Sequence, residues 1–447
     1  MRKWFIEFVV FPISKIITGI NFRLKLEDQR TFSLLSEREL QVIQTEKLGR
    51  ILNHAVSTTK KYANINLSDV DSPVDWLQHF PVINKSELSK NGELFISNKF
   101  VTKDLIKYES SGSTGVRSVV FLDKEEQATI RAILINWWEW NGYRIGEPVF
   151  QTGMAENRGI FKRIKDILFN THYMKAFNLR EEEIKSHLLT VKHNSKSMLF
   201  GYASSLYEIA KVSEKNDLDI KFRLVMSQGD KLFEHYLNKI KEVFGCDVVE
   251  DYGLNEGFMV GQKVDLPFYY IYTPSVYVEI LDSNNNPVKD GEMGRIVLTK
   301  LDGYAMPLIR YDSGDLGVML PKEEYPEQRR FNFPLLKSVI GRNTDIIETL
   351  GGNKLTVHTF TGIFEFFPEI TQFQIVVTQF NSLTVRYIPS DNFYPEILVK
   401  IEKRVNKLIE ENLEFCWEQV DNIEASKSGK PQILINKISS ITLSDSN

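Results

Sequence analysis

The stretch KYESSGSTGVRS, Lys107 to Ser118, sets five Ser or Thr residues and two glycines between the apolar runs DLI and VVFL. Two readings fit that composition. Gly and Ser punctuate turns, so one is a flexible loop. The other is an anion cradle, in which a Gly-rich turn aims backbone N–H groups at phosphate oxygens and hydroxyls add donors.

Three further runs carry polar groups beside glycine. In VEDYGLNEG, Val249 to Gly257, an aromatic before Gly could lie flat against a base. Glu256, four residues after Tyr252, offers Mg²⁺ a hard carboxylate oxygen. The alternative is a strand-ending turn with an exposed acid. In PLIRYDSGDLG, Pro307 to Gly317, Asp315 reads as a carboxylate in a turn after an apolar strand. It is able to accept hydrogen bonds from both ribose hydroxyls, or to close an Asx-type turn. In VIGRNTDIIETLGG, Arg342 could pair with ribose or phosphate oxygens, or with a neighbouring carboxylate.

Alternating apolar and helical stretches must hold these runs in place. SMLFGYA precedes the helix-like SSLYEIAKVSEKN, and FRLVMSQG precedes DKLFEHYLNKIKEVFG, a rhythm of α/β layering. Ahead of them, Leu40, Ile43, Leu48, Ile51 and Ala55 share a helix face, opened by Ser36 with Glu39 three residues on, a capping-box pattern. From about Tyr269 the texture is β-rich, with SVYVEILD and GRIVLTKL flanking a turn-rich segment. Beyond IGRNTD, FQIVVTQF and LTVRYI flank Asn381–Ser382 as a hairpin. Ile397, Ile401, Val405 and Leu408 line a helix face, and ILINKI reads as a final strand. The expected division is a large domain, 1–342, and a small α+β domain, 343–447.

The chain has 447 residues, 42% hydrophobic and 26% charged, with a formal net charge of −4. That balance, with no basic run, disfavours nucleic acid as the main partner. Cys246 and Cys416 have no ligand spacing, which argues against structural zinc or a disulfide framework and suits a reducing cytoplasm. The apolar N-terminus, MRKWFIEFVVFPISKIITGINF, is interrupted by Glu7, Pro12 and Lys15. It is too broken to span a bilayer. It reads as a helix docked on the core, with peripheral membrane contact as the other reading.

The four polar-glycine runs, in this order, resemble the motifs of the adenylate-forming superfamily of acyl-CoA synthetases, adenylation domains and luciferases. SSGSTG is similar to its phosphate loop, YGLNEG to its adenine and magnesium motif, RYDSGD to its ribose motif and GRNTDII to its hinge region. Outside them, ILNHAVSTTKKYA, FPVINKSEL, FGYASSLYEIA and MSQGDKL are similar to the phenylacetate–CoA ligase-like and capsular-polysaccharide (CapK-like) branch.

The resemblance implies ATP-dependent activation of a small carboxylic acid as an acyl-adenylate. The acyl group then passes to coenzyme A or to another thiol or amine, in surface-polysaccharide synthesis or in aryl-acid catabolism. It implies ATP and Mg²⁺, with a homodimer left open. Ser110, Ser111, Gly112, Ser113, Thr114 and Gly115 would cradle the phosphates. Tyr252 would stack on adenine, bordered by Gly229 and Asp230, and Glu256 would hold Mg²⁺. Asp251, Gly253 and Asn255 would line the same nucleotide site, and Asp315 and Arg342 would hold the ribose. Lys430 matches the lysine that stabilises the adenylation transition state, with Lys427 as competitor and Thr114 and Glu256 as fellow catalytic groups.

The sequence departs from the family in three places. TGVRS lacks the proline and lysine common after the phosphate loop, Asn255 replaces a threonine, and Thr344 stands where an acid or lysine is usual at the hinge. No GK[ST] triplet marks a P-loop NTPase. A degenerate nucleotide-binding partner protein is the remaining reading.

Overall fold

The computed structural model describes residues 2–67, 72–109, 119–153, 159–176, 181–191, 197–349 apart from 343–345, and much of 354–437. Thus Ser110 to Gly115, Thr344, Lys427 and Lys430 lie outside the described residues. The chain divides into two compact units. The first holds most of the chain to Ser338; the second holds Val339 onward with Phe233–His235 and Gly314–Leu316.

The first unit is built on an 11-stranded sheet. Its parallel half comprises β3 (Val149–Gly153), β4 (Thr171–Lys175), β5 (Met198–Tyr202), β6 (Leu224–Gln228) and β7 (Val248–Leu254). The order continues through β8 (Phe258–Gln262), β9 (Tyr269–Ile271), β13 (Leu335–Arg342), β12 (Tyr311–Met319), β11 (Met293–Lys300) and β10 (Val276–Leu281). Strands β5 and β6 are buried almost throughout, as a parallel sheet covered on both faces requires. Helices Ala203–Lys215 and Glu234–Phe244 follow them, as the alternating pattern predicts. A separate hairpin pairs β1 (Ile106–Glu109) with β2 (Val119–Leu122).

The helix Glu37–Thr58 begins with the expected capping box. Ser36 Oγ accepts from the Glu39 N–H, and the Glu39 carboxylate accepts from the Ser36 N–H. Satisfying these two orphan donors stabilises the helix by about 1 kcal/mol. Leu40, Leu48, Ile51 and Ala55 are buried; Ile43 is half-buried. At the N-terminus, the helix Arg2–Thr18 docks through Ile6 and Phe11 into a core cluster with Leu26 and Trp138. Aromatics of NWWEWNGY are core as well: Trp137, Trp138, Trp140 and Tyr143 are all buried.

The second unit has its own core. Strands β16 (Ile370–Gln379) and β17 (Ser382–Pro389) form the hairpin read from the sequence, with Asn381 at φ +58°. They are flanked in parallel by β19 (Leu434–Asn436) and β18 (Glu414–Gln419). The helix Glu396–Ile409 buries Ile397, Ile401 and Val405 in that core. A short hairpin of β14 (Ile346–Glu348) and β15 (Lys354–Thr356) completes the unit.

Candidate functional site

Open parallel sheets present ligand sites at the carboxyl ends of their strands. The last paired residues of β6 and β7 are Ser227 and Glu250, and Gly229 and Tyr252 each stand two residues beyond. Gly229 takes φ +77°, and a Cβ there would lie 2.6 Å from the ring of Tyr202, the last residue of β5. Only glycine meets both conditions. The Asp230 carboxylate accepts from the Ala203 N–H at 2.5 Å, the Ser204 N–H at 3.2 Å and the Ser204 hydroxyl at 2.5 Å. It therefore caps the helix Ala203–Lys215, whose own first residue position supplies no side-chain cap. Burial, and secondarily the Asp230 charge, hold the Tyr202 hydroxyl up at about 12.

Tyr252 is buried against Tyr269, ring centroids 6.1 Å apart, so most of its surface is covered in this conformation. Asp251 lies on the opposite face of β7, as strand alternation requires. Its Oδ1 accepts from Gln262 Nε2 at 2.5 Å, and Gln262 Oε1 accepts from Asn141 Nδ2 at 2.9 Å. The other oxygen, Oδ2, is out of solvent without a hydrogen-bond partner among the described residues. Burial pushes this carboxyl up to about 7. Gly253 sits at a register shift between β7 and β8, and a Cβ there would lie 2.6 Å from the Phe258 carbonyl oxygen. Asn255 is exposed in the turn.

Glu256 is 6% exposed, not the exposed acid of a plain turn. Tyr311 Oη donates to its Oε1 at 3.2 Å, and Tyr311 stacks on Phe258 at 5.8 Å. Two runs separated by 55 residues meet in this bond. The turn backbone is held as well, because Lys300 Nζ donates to the Glu256 carbonyl at 2.6 Å and to Glu126 Oε1 at 2.8 Å. A buried carboxylate is a hard oxygen ligand, and the Tyr311 bond orients it without neutralising it. The residue type therefore fits Mg²⁺ held by one protein carboxylate together with substrate phosphates. Among the described residues no group of three or more His, Cys, Asp or Glu could hold a metal by itself.

The hairpin of β1 and β2 packs beside this turn. In it, Glu109 pairs with Val119. Gly257, at φ +89°, would place a Cβ 3.4 Å from Leu122 of β2. The Phe121 N–H in the same strand lies 3.4 Å from the sulfur of Met306, just before the third run.

Asp315 differs from its expected setting. It lies within β12, not in a turn after a strand; Gly314 absorbs the local bend at φ +77° and the ladder continues. Arg342 ends β13. Asp315 and Arg342 both fall in the second unit.

The site also relies on residues the sequence did not single out. Lys300 is a lysine in the apolar strand GRIVLTKL, a pattern that could have marked it as buried and paired. Arg310, at φ +50°, is 7% exposed and pairs with Glu279 at 3.0 Å while donating to the Phe80 carbonyl. It fixes the backbone on which Tyr311 is presented.

No family model matches the chain. It is 22% identical over 351 residues to the phenylacetate-coenzyme A ligase of Pseudomonas putida, covering 74% of this chain and 76% of the relative. It is 22% identical over 433 residues to that of Escherichia coli, covering 91% and 93%. Among solved structures, 2-hydroxyisobutyryl-CoA ligase in the postadenylation state superposes with a TM-score of 0.72 at 16% identity, covering 93% of this chain and 94% of that one.

Proposed function

We propose that the chain is an adenylate-forming ligase, distantly similar to phenylacetate–coenzyme A ligases, and that it activates a carboxylic acid with ATP. The products of the first step are an acyl-adenylate and pyrophosphate. The contact between Tyr311 and Glu256 carries this reading, because it joins two of the four nucleotide runs at one turn. Two anions must meet in that step while charge grows on the phosphoryl oxygens, so catalysis is mainly electrostatic. Glu256 is the assigned Mg²⁺ ligand; when bound, the ion offsets phosphate charge. Ser110 to Gly115, with Thr114 among them, supply the phosphate donors, and Gly229 and Tyr252 border the base. Asp315 and Arg342 hold the ribose. Lys430 supplies the cation of the adenylation step, with Lys427 as its competitor.

For the second step we assign coenzyme A as acceptor, supported by the names of the relatives. An aryl-acetic acid is the corresponding substrate class. The CapK-like stretches support a second setting, surface-polysaccharide assembly on the cytoplasmic side, with an amine or carrier thiol as acceptor.

Carboxylate-dependent pyrophosphate exchange across an acid panel tests the first step. Exchange with at least one acid is expected, strongly reduced in Lys430→Ala and retained in Lys427→Ala. No exchange with any acid, while ATP still binds, would overturn the assignment in favour of a nucleotide-binding partner protein. Thioester or amide product from the active acid then identifies the acceptor.

A further inference from the structure

The N-terminal helix is apolar on more sides than the protein covers. Ile6 and Phe11 are buried in the core, yet Trp4, Phe5, Phe8 and Ile13 are exposed, Ile16 is 84% exposed and Ile17 77%. A π turn over Ile6–Val10 interrupts the helix, so its apolar residues do not collect on one core-facing stripe. A surface helix of a water-soluble domain ordinarily keeps its outer face polar.

A second helix beside it has the same character. In Ile160–Phe169, Ile160, Ile164 and Ile167 recur at helical spacing on one face, and all three are exposed. The two helices touch. Arg2 donates to the carbonyls of Ile167 and Leu168, and Phe11 lies 6.3 Å from Phe169. The exposed isoleucines and aromatics therefore form neighbouring rows on one part of the first unit.

The charge of this region decides between occupants. Residues 2–25 contain five Lys or Arg and one acid, Glu7; residues 160–169 contain three Lys or Arg and one acid, Asp166. The whole chain is net negative at −4, whereas these two segments together hold eight Lys or Arg and two acids. Exposed Lys15, Lys162, Arg163 and Lys165 flank the isoleucines. A second copy of the patch would meet this charge with like charge. An anionic phospholipid surface matches both the apolar rows and the basic rim.

We propose that these two helices form a monotopic docking surface for an anionic bilayer, lying in its interface. Among the described residues no single helix is long and apolar enough to cross a membrane, and Arg2–Thr18 meets the next helix, Phe22–Phe32, at a bend of 116°. The buried Ile6 and Phe11 tie the first helix to the protein core, so only its outer face is presented. This surface is independent of the ligase assignment.

The test is co-sedimentation of the full chain with phosphatidylcholine vesicles, with and without phosphatidylglycerol. Binding is expected to the phosphatidylglycerol vesicles and to weaken as salt rises. The double variant Ile16→Glu, Ile17→Glu should lose binding by about 10-fold or more with its melting temperature unchanged, since both side chains are exposed. Lys162→Glu with Arg163→Glu should remove the preference for anionic lipid. Failure of the parent to bind either vesicle overturns the proposal, as does parental binding by the isoleucine variant. A parent that is dimeric without vesicles, and becomes monomeric in the isoleucine variant, overturns it in favour of a second copy. Pyrophosphate exchange should be unchanged in both variants, which keeps this outcome separate from the ligase assignment.

Discussion

Lys300 and Glu126 form an ion pair whose side chains are 3% and 2% exposed, and the same ammonium donates to the carbonyl of Glu256. The pair joins strand β11, the helix Lys124–Trp140 that begins just after β2, and the turn bearing the assigned metal ligand. Removing one member leaves the other charge buried without its partner, which costs about 3–5 kcal/mol. Lys300→Met should lower stability by that order in chemical denaturation. Adding Glu126→Leu should recover much of the stability, because an apolar pair of similar volume is often neutral. Activity should stay low in the double variant, because nothing then holds the Glu256 carbonyl. Recovery of stability and turnover together would show that the clamp has no catalytic consequence.

Tyr311→Phe makes a narrower test. It removes the bond to Glu256 while keeping the ring stacked on Phe258. A hydrogen bond to a charged group contributes about 1.5–3 kcal/mol. The expected result is a drop of about 10-fold or more in kcat for pyrophosphate exchange, at about 1.36 kcal/mol per factor of ten, with a fall in melting temperature no larger than the loss of one such bond brings. A parental kcat would mean that Tyr311 does not orient the carboxylate during the reaction.

Asp251 supplies a pH signature. Its carboxyl is raised from 3.8 to about 7 by burial. The unfolded chain therefore releases this proton at lower pH than the folded protein does. Stability falls as pH rises between those two values and levels off above the higher one. At 1.36 kcal/mol per unit the full effect is at most about 4 kcal/mol. Asp251→Asn should flatten that part of the profile and raise stability at about pH 8, read by urea denaturation across the range. An unchanged slope would place the titration elsewhere.

Local patterns predicted the scaffold better than the contacts between its elements. The capping box at Ser36, the hairpin at Asn381 and the face of Ile397, Ile401 and Val405 depend on neighbours a few residues away, so periodicity and cap chemistry suffice to find them. Lys300 depends on Glu126, 174 residues earlier, and in isolation it reads as a cation at a strand end. In the sequence Tyr311 stands beside the more polar Asp315, and its hydroxyl acquires meaning only through Glu256. Strand alternation did hold one unused signal. If Tyr252 faces one side of β7, then Asp251 faces the other, and its bond to Gln262 follows from the cross-strand pairing of those two residues.

The sequence resemblance sets Asp230 at the border of the adenine, and its bonds give it a structural task that the same variants can separate from nucleotide contact. Its carboxylate accepts from two backbone N–H groups and a hydroxyl at the start of Ala203–Lys215. Loss of such a cap costs about 1–2 kcal/mol, helped here by the charge at a helix N-terminus. Asp230→Ala should therefore lower stability by about that amount and, by loosening the turn that Gly229 shares with Tyr202, raise the KM for ATP several-fold. Asp230→Asn keeps one acceptor oxygen and should recover most of the stability. If its KM also returns to the parental value, the residue acts through the helix cap alone. If KM stays high while stability returns, the carboxylate itself touches the nucleotide. Unchanged stability in Asp230→Ala would refute the capping role.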